Sequence, residues 1–224
     1  TGYGTIKYFE RTARTYRIFN RSGIGASARF VNRTDFPGHK NEFSLGGDVF
    51  YQAGPIEDYD NQNGRKGDLL GALTDEAITN AGFYLQNSFS IINDKMSLLL
   101  TGRYDNVGFI VNNQLLAVQN AQRTFGKFTP KAALNYNLTP TIAAYTSYGL
   151  GFDTPAGNEL DNYPLSTNTT SMLNPDLLPQ TSTNFEIGIK GIYAVDDLDY
   201  FRKVFFEATF FNIKIDDEVV PFEV

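Results

Sequence analysis

The feature that most constrains this chain is a period-two alternation of apolar and polar residues that recurs from near the N-terminus to near the C-terminus. Such a period puts successive side chains on opposite faces of an extended strand, and no stretch of comparable length carries the 3.6-residue stripe of a helix. About eight strands are expected, over residues 14–34, 42–54, 81–92, 95–106, 124–138, 141–152, 182–194 and 203–216. In the first, Ile24, Ala26, Ala28 and Phe30 oppose Gly25, Ser27 and Arg29; in the second, Phe43, Leu45, Val49 and Tyr51 oppose Ser44, Asp48 and Gln52. The alternation continues with Phe83, Leu85 and Phe89, then Leu98, Leu100 and Tyr104, then Phe128, Leu134 and Tyr136, each against polar neighbours. The stretch "TNFEIGIK" does the same, with Phe185, Ile187 and Ile189 opposing Asn184, Glu186 and Lys190. The sixth and eighth segments, "TIAAYTSYGLGF" and "VFFEATFFNI", are less clean, and their facing stays open.

The connectors alternate in length. Short ones, "DFPGHKN", "NDK", "LTPT" and "VDDLDYFR", are rich in the Gly, Pro, Asn and Asp that tight reversals use. Long ones are expected over residues 55–80, 107–123 and 153–181. In up-and-down strands this places short turns at one end of a sheet and long loops at the other, which is the asymmetry of an outer-membrane β-barrel. A soluble sandwich or lyase-like sheet could alternate too, because antiparallel sheets often have one wet face, but it seldom sustains one-sided loop lengths.

Composition agrees with a membrane barrel. Aromatic residues make up 14% through 13 Tyr and 19 Phe, yet mean hydropathy is only -0.28. No apolar run approaches the ~18 residues of a spanning helix, whereas barrel strands need only about 9 to 11 residues, every second one polar. The absence of cysteine excludes disulfides and thiolate metal sites. A net charge of -6 without a basic cluster argues against nucleic acid as a partner. The opening "TGYGTIKYFER" is expected to lead down from the long-loop end and the closing "DDEVVPFEV" to head back to it. Those directions suit an internal section of a larger barrel, since edge strands left unpaired in lipid would be untenable.

Several stretches together, "NPDLLPQTSTNFEIGIKG", "YTSYGLGFDTPAGNEL", "GRKGDLLGALTDEAITNAGFYLQNSFSI", "LLLTGRYDNVGF" and "DDEVVPFEV", resemble TonB-dependent outer-membrane receptors, in the branch of ferric-siderophore and ferric-citrate receptors. The resemblance covers nearly the whole chain. It implies an all-β, antiparallel, up-and-down transmembrane barrel of about 22 strands, of which residues 1–224 form a partial domain lacking the plug and the last strands. It further implies a bacterial outer-membrane location, a TonB complex acting through an N-terminal part, outer-membrane lipids as surroundings, and an iron chelate as ligand. A passive porin or adhesion barrel is the first alternative, and a soluble carbohydrate-binding sheet the second.

Twelve residues stand out as site candidates. Arg29, Asp48, Asp105, Lys131, Glu186 and Lys190 are expected to line the lumen or face the plug. Arg103 and Lys127, on the same polar parities, are the candidates for holding an anionic chelate, because guanidinium and ammonium groups pair with carboxylates. Tyr59 and Tyr163, with Phe83 and Phe152, lie in or beside the expected long loops, where a ring could meet a ligand or mark the membrane interface. No catalytic site is expected: the sole histidine, His39, falls in a short turn, and no nucleophile can be matched to it. Asp58 and Asp60 in "EDYDNQNG" miss the calcium-loop pattern, since Asn63 stands where glycine is required. Neither a metal nor a cofactor is expected.

Overall fold

The computed structural model describes residues 1–92, 95–157, 159–161, 170–194 and 203–219. Among them are nine strands: β1 (Gly2–Thr12), β2 (Thr15–Phe36), β3 (His39–Gln62), β4 (Arg65–Ile92), β5 (Met96–Asn113), β6 (Ala121–Thr139), β7 (Ile142–Asp153), β8 (Gln180–Ala194) and β9 (Lys203–Asp216). They form one antiparallel sheet in sequence order, with β1 and β9 at its edges. The apolar parities line up across it. Ala26 pairs Val49 and Val49 pairs Ala81; one step along, Gly47 pairs Phe83, Phe83 pairs Tyr104, and Tyr104 pairs Phe128. The resulting band is exposed, with Val49 and Phe128 each at 56%, so this face meets hydrocarbon rather than water. The register also settles the two ambiguous segments. Ile142, Ala144 and Tyr148 of β7 and Val204, Phe206 and Phe210 of β9 join the apolar face.

Three expectations about the connectors fail. Residues 55–80 are not a loop: β3 and β4 run on as a hairpin closed by Asn63 and Gly64, at φ 52° and 87°. Both residues are left-handed, as the two central positions of a type I′ turn require. Most of 107–123 is strand too, leaving a short link with one 3-10 turn at Ala117–Gln119. The opening segment is a ninth strand, and it runs up to the turn at Ala13 and Arg14 rather than down from the loop end. Because β1 is stabilised by its ladder with β2, its own Gly-rich pattern gives little sign of it.

The strands therefore overshoot the membrane. β4 has 28 residues, which at ~3.3 Å per residue is roughly twice the ~30 Å of a hydrocarbon core even when tilted. The extra length lies at the end that carries the β3–β4 hairpin and the β7–β8 connection, hereafter the outer end. At the opposite end the reversals between β2 and β3 and between β6 and β7 are tight, with Pro37 and Gly38 turning β2 into β3 and Gly38 at φ 77°, while most of the expected turn "VDDLDYFR" lies outside the described residues. His39 follows that turn, its Nδ1 2.8 Å from the Ser90 carbonyl oxygen and its ring stacked on Phe89.

Candidate functional site

On the polar face of the membrane-spanning part, one arginine is held within the wall by two carboxylates. Arg103 on β5 donates to Asp48 on β3 at 2.9 Å and 3.2 Å and to Asp105 at 2.8 Å and 2.9 Å. It reaches across β4 over Gly82, where a β-carbon would collide with its guanidinium. Arg29, Asp48, Arg103, Asp105, Lys127, Lys131, Glu186 and Lys190 all share this face by register. Lys190 lies 5.2 Å from the centre of the Tyr145 ring. Arg103 is thus clamped by two carboxylates, while Lys127, opposite Asp105 in the ladder, is exposed.

The outer end is built differently. There the same face turns apolar: Val107, Phe109, Val111 and Phe125 are buried, and the β7–β8 connection folds over them, inserting Leu160 and Leu173 at 0% and 2% exposure. Backbone bonds fix the fold-over, with the Asn174 N–H donating to the Leu160 carbonyl at 2.7 Å and the Met172 N–H to the Gln119 carbonyl at 3.1 Å. Arg123 donates from Nη2 to the Leu177 carbonyl at 2.7 Å and from Nη1 to the Asn174 carbonyl.

Beside this apolar seal lies a charged cluster. Arg17 on β2 makes a two-pronged pair with Asp58 on β3, at 2.6 Å and 2.8 Å, and Arg21 pairs Glu76 on β4. Asp161, from the folded-over connection, joins Arg17, Asp58 and Glu76 around a cavity of about 290 Å³. Burial pushes the Glu76 carboxyl above the usual carboxylate range, opposed by Arg21 and helped by the Asp161 charge. Asp161 is exposed at its outer side, yet partial desolvation against the wall also raises it, with Arg17 pulling the other way. The Asp58 hydrogen bond raises Arg17 further. A second cavity of about 290 Å³ opens next door between Arg11, Arg14, Arg17 and Asp161.

Sequence reasoning missed this cluster. Arg17 and Arg21 lie on the first expected strand with the parity of Arg29, but their partners Asp58 and Glu76 were hidden by treating 55–80 as a loop; once Asn63-Gly64 is read as a hairpin turn, strand parity puts all four on the polar face. Asp161 carries no such signal. Tyr59 must be relocated: it pairs Tyr16 on the opposite, outward face, with its hydroxyl donating to Glu57 at 2.8 Å and Lys66 Nζ 3.7 Å above its ring. Phe83 likewise belongs to the lipid-facing band, away from any loop. Phe152 packs against the apolar seal. Tyr163 lies outside the described residues. Asp60, at the hairpin tip, accepts from the Leu69 N–H at 2.8 Å and from Gln62 at 3.0 Å.

An exposed apolar band outside, charged and polar residues inside and long strands at one end define the wall of an outer-membrane β-barrel. Residues 1–224 match the family model "TonB dependent receptor-like, beta-barrel", and the chain belongs to that family, whose members reside in the bacterial outer membrane. Among solved structures, the unliganded ferric citrate transporter FecA aligns with a TM-score of 0.69 at 14% identity, over 94% of this chain and 30% of that one. The Serratia marcescens hemophore receptor HasR, in complex with its hemophore HasA and heme, aligns at 0.65 with 16% identity, over 93% and 35%. The siderophore receptor PiuA from Acinetobacter baumannii aligns at 0.61 with 16% identity, over 88% and 32%. The chain thus spans about a third of the length of these receptors. Membership gives the polar face its name: it is the lumen side.

Proposed function

We propose that this barrel wall serves a receptor that captures an iron chelate at the cell surface and passes it across the outer membrane with energy drawn from TonB. The observation that carries this reading is the outer end of the lumen face, where a connection folds inward and leaves arginine-lined cavities of about 290 Å³ beneath it. That arrangement suits capture of a small polar solute at the mouth, whereas an open pore would leave its mouth clear. The ligands printed for the similar receptors, ferric citrate, siderophore and heme, support the choice of an iron chelate. The wall binds and releases; it performs no chemistry on the ligand. Of the lumen cations, Lys127 on β6 stands exposed opposite Asp105, and Arg103 acts as a structural clamp between Asp48 and Asp105.

The test is uptake of radiolabelled ferric chelates by iron-limited cells, comparing strains with and without the receptor and with and without TonB. Uptake that needs both is the expected result. Uptake that survives loss of TonB would make the protein a passive pore, and absence of uptake for every chelate would end the iron reading.

A further inference from the structure

Three glycines of the lumen face stand where nothing in the backbone asks for them. Gly25 on β2, Gly46 on β3 and Gly188 on β8 lie inside strands, and positive φ among the described glycines is confined to Gly38 and Gly64. A glycine inside a strand weakens it, and one kept there often marks a close approach. The approach here is a tyrosine ring. In the ladders Tyr3 pairs Gly25, Tyr84 pairs Gly46 and Tyr145 pairs Gly188, each directly across a strand boundary. A β-carbon at Gly46 would stand 2.6 Å from the Tyr84 hydroxyl oxygen and one at Gly188 2.7 Å from Tyr145 Cζ, and at Gly25 it would meet the Tyr3 ring closer still. The rings therefore lie flat across the glycines, whereas a strand side chain ordinarily stands away from its sheet. Tyr145 is tied down further: reaching over β8, its hydroxyl donates to Glu207 at 2.9 Å and lies 2.7 Å from Thr209 Oγ1 on β9.

Among the described residues no outward tyrosine is paired with a glycine. Tyr51 pairs Ile24 and Thr79, for example, and Tyr104 pairs Phe83 and Phe128, reaching Gly126 along a diagonal. Tyrosine opposite glycine is thus a property of the lumen side. Outside, fluid hydrocarbon closes round a standing ring; inside, a standing ring takes up width. The pairs are also staggered along the strand direction, because the rungs through Gly25, Gly46 and Gly188 meet β6 at Phe125, Thr129 and Asn135. We propose that Gly25, Gly46 and Gly188 are positioning residues that hold Tyr3, Tyr84 and Tyr145 flat against the wall, and that the flat rings set the free width of the lumen along the route of a captured solute. Alanine fits an extended strand, so glycine is needed for the posture of the ring and not for the strand. The inference rests on the transport reading for what passes, while the posture of the rings stands without it.

The experiment compares the wild type with Gly46→Ala, Gly188→Ala, Tyr84→Ala and the double variant Gly46→Ala/Tyr84→Ala, all in the full-length receptor. Ring posture is read as nitration of Tyr84 by tetranitromethane, mapped by mass spectrometry. Passage is read as uptake of radiolabelled ferric citrate by cells matched for the amount of heat-modifiable barrel. Gly46→Ala should assemble normally and raise Tyr84 nitration about threefold, since the half-buried ring swings away from the sheet. Its uptake should fall about fivefold, within the cost of one group forced into a filled space. The double variant should return uptake to the level of Tyr84→Ala, because alanine at position 46 then meets no ring. Gly188→Ala should act in the same direction but more weakly, as Glu207 and Thr209 still hold Tyr145. Unchanged Tyr84 nitration in Gly46→Ala would overturn the positioning role. Raised nitration with unchanged uptake would overturn the role in passage, and so would an uptake loss that Tyr84→Ala does not rescue, since the defect would then lie in the wall itself. If the wild type takes up no ferric chelate, the transport reading falls and nitration alone decides the positioning role.

Discussion

The membrane belt and the outer end of this wall are made from the same strands under opposite rules. In the belt, polar residues mostly face the lumen and apolar residues face lipid, so most strands show a clean period of two, and Asp48 and Asp105 share the lumen charge of Arg103. At the outer end the strands have left the lipid. There the lumen face of β5 and β6 turns apolar to receive Leu160 and Leu173, while Tyr8, Glu10 and Tyr16 hydrogen-bond together on the outward face, the Tyr8 hydroxyl donating to Glu10 at 2.7 Å. The contrast teaches that alternation records the difference between the two media on either side of a sheet. Where water lies outside and a folded-over segment lies inside, the pattern inverts or fades although the strand continues.

The comparison breaks most visibly if the apolar seal is removed. Leu160→Ala combined with Leu173→Ala should cost the docked connection about 2–5 kcal/mol per residue and leave the belt intact. Hydrogen exchange should then show loss of protection at residues 170–179 with β2–β6 protection unchanged. Loss of protection in the belt as well would mean that the two regions are one cooperative unit.

Arg103→Glu comes next, because it sets three carboxylates side by side on the lumen face of the belt. An assembly cost of about 1–2 kcal/mol is expected, read as a lower melting temperature of the heat-modifiable barrel band, with Arg103→Gln milder. A charge reversal that spoiled uptake and left assembly untouched would return Arg103 to the ligand-binding residues.

Replacing Asn63 and Gly64 together by alanine should cost about 1 kcal/mol per residue, since alanine resists positive φ. The effect should stay in the hairpin, visible as faster proteolysis between residues 57 and 70. Cleavage elsewhere would mean that the hairpin supports more than itself.

The smallest effect is a pH dependence confined to the outer end. Glu76 and Asp161 both have raised carboxyl affinities for protons, so docking binds protons more tightly than undocking does. The extra stability is fully present below the ordinary carboxylate range and is lost as pH rises through the raised values. Spin-label distances from Gln119 to residue 172 should therefore report tighter docking toward about pH 5 than at about pH 7. The groups that face these two carboxyls are Arg17, Arg21 and Asp58, and Asp161→Asn should flatten the profile.

The sequence by itself determined the class, the facing of the belt residues in the cleanly alternating strands and tight turns such as Pro37-Gly38 at one end. It could do so because those properties follow from the local match between side-chain polarity and a fixed pair of media, as Phe185, Ile187 and Ile189 against Glu186 and Lys190 illustrate. It also held an unused clue in Asn63-Gly64, which would have carried β3 and β4 through the supposed loop. Only the tertiary structure decided that Tyr59 looks outward, that Arg103 spans Gly82 to Asp48, and that Asp161 meets Arg17. Those facts depend on which residues of distant strands share a level of the ladder and on where a long connection folds back, and neither is encoded in any short stretch of the chain.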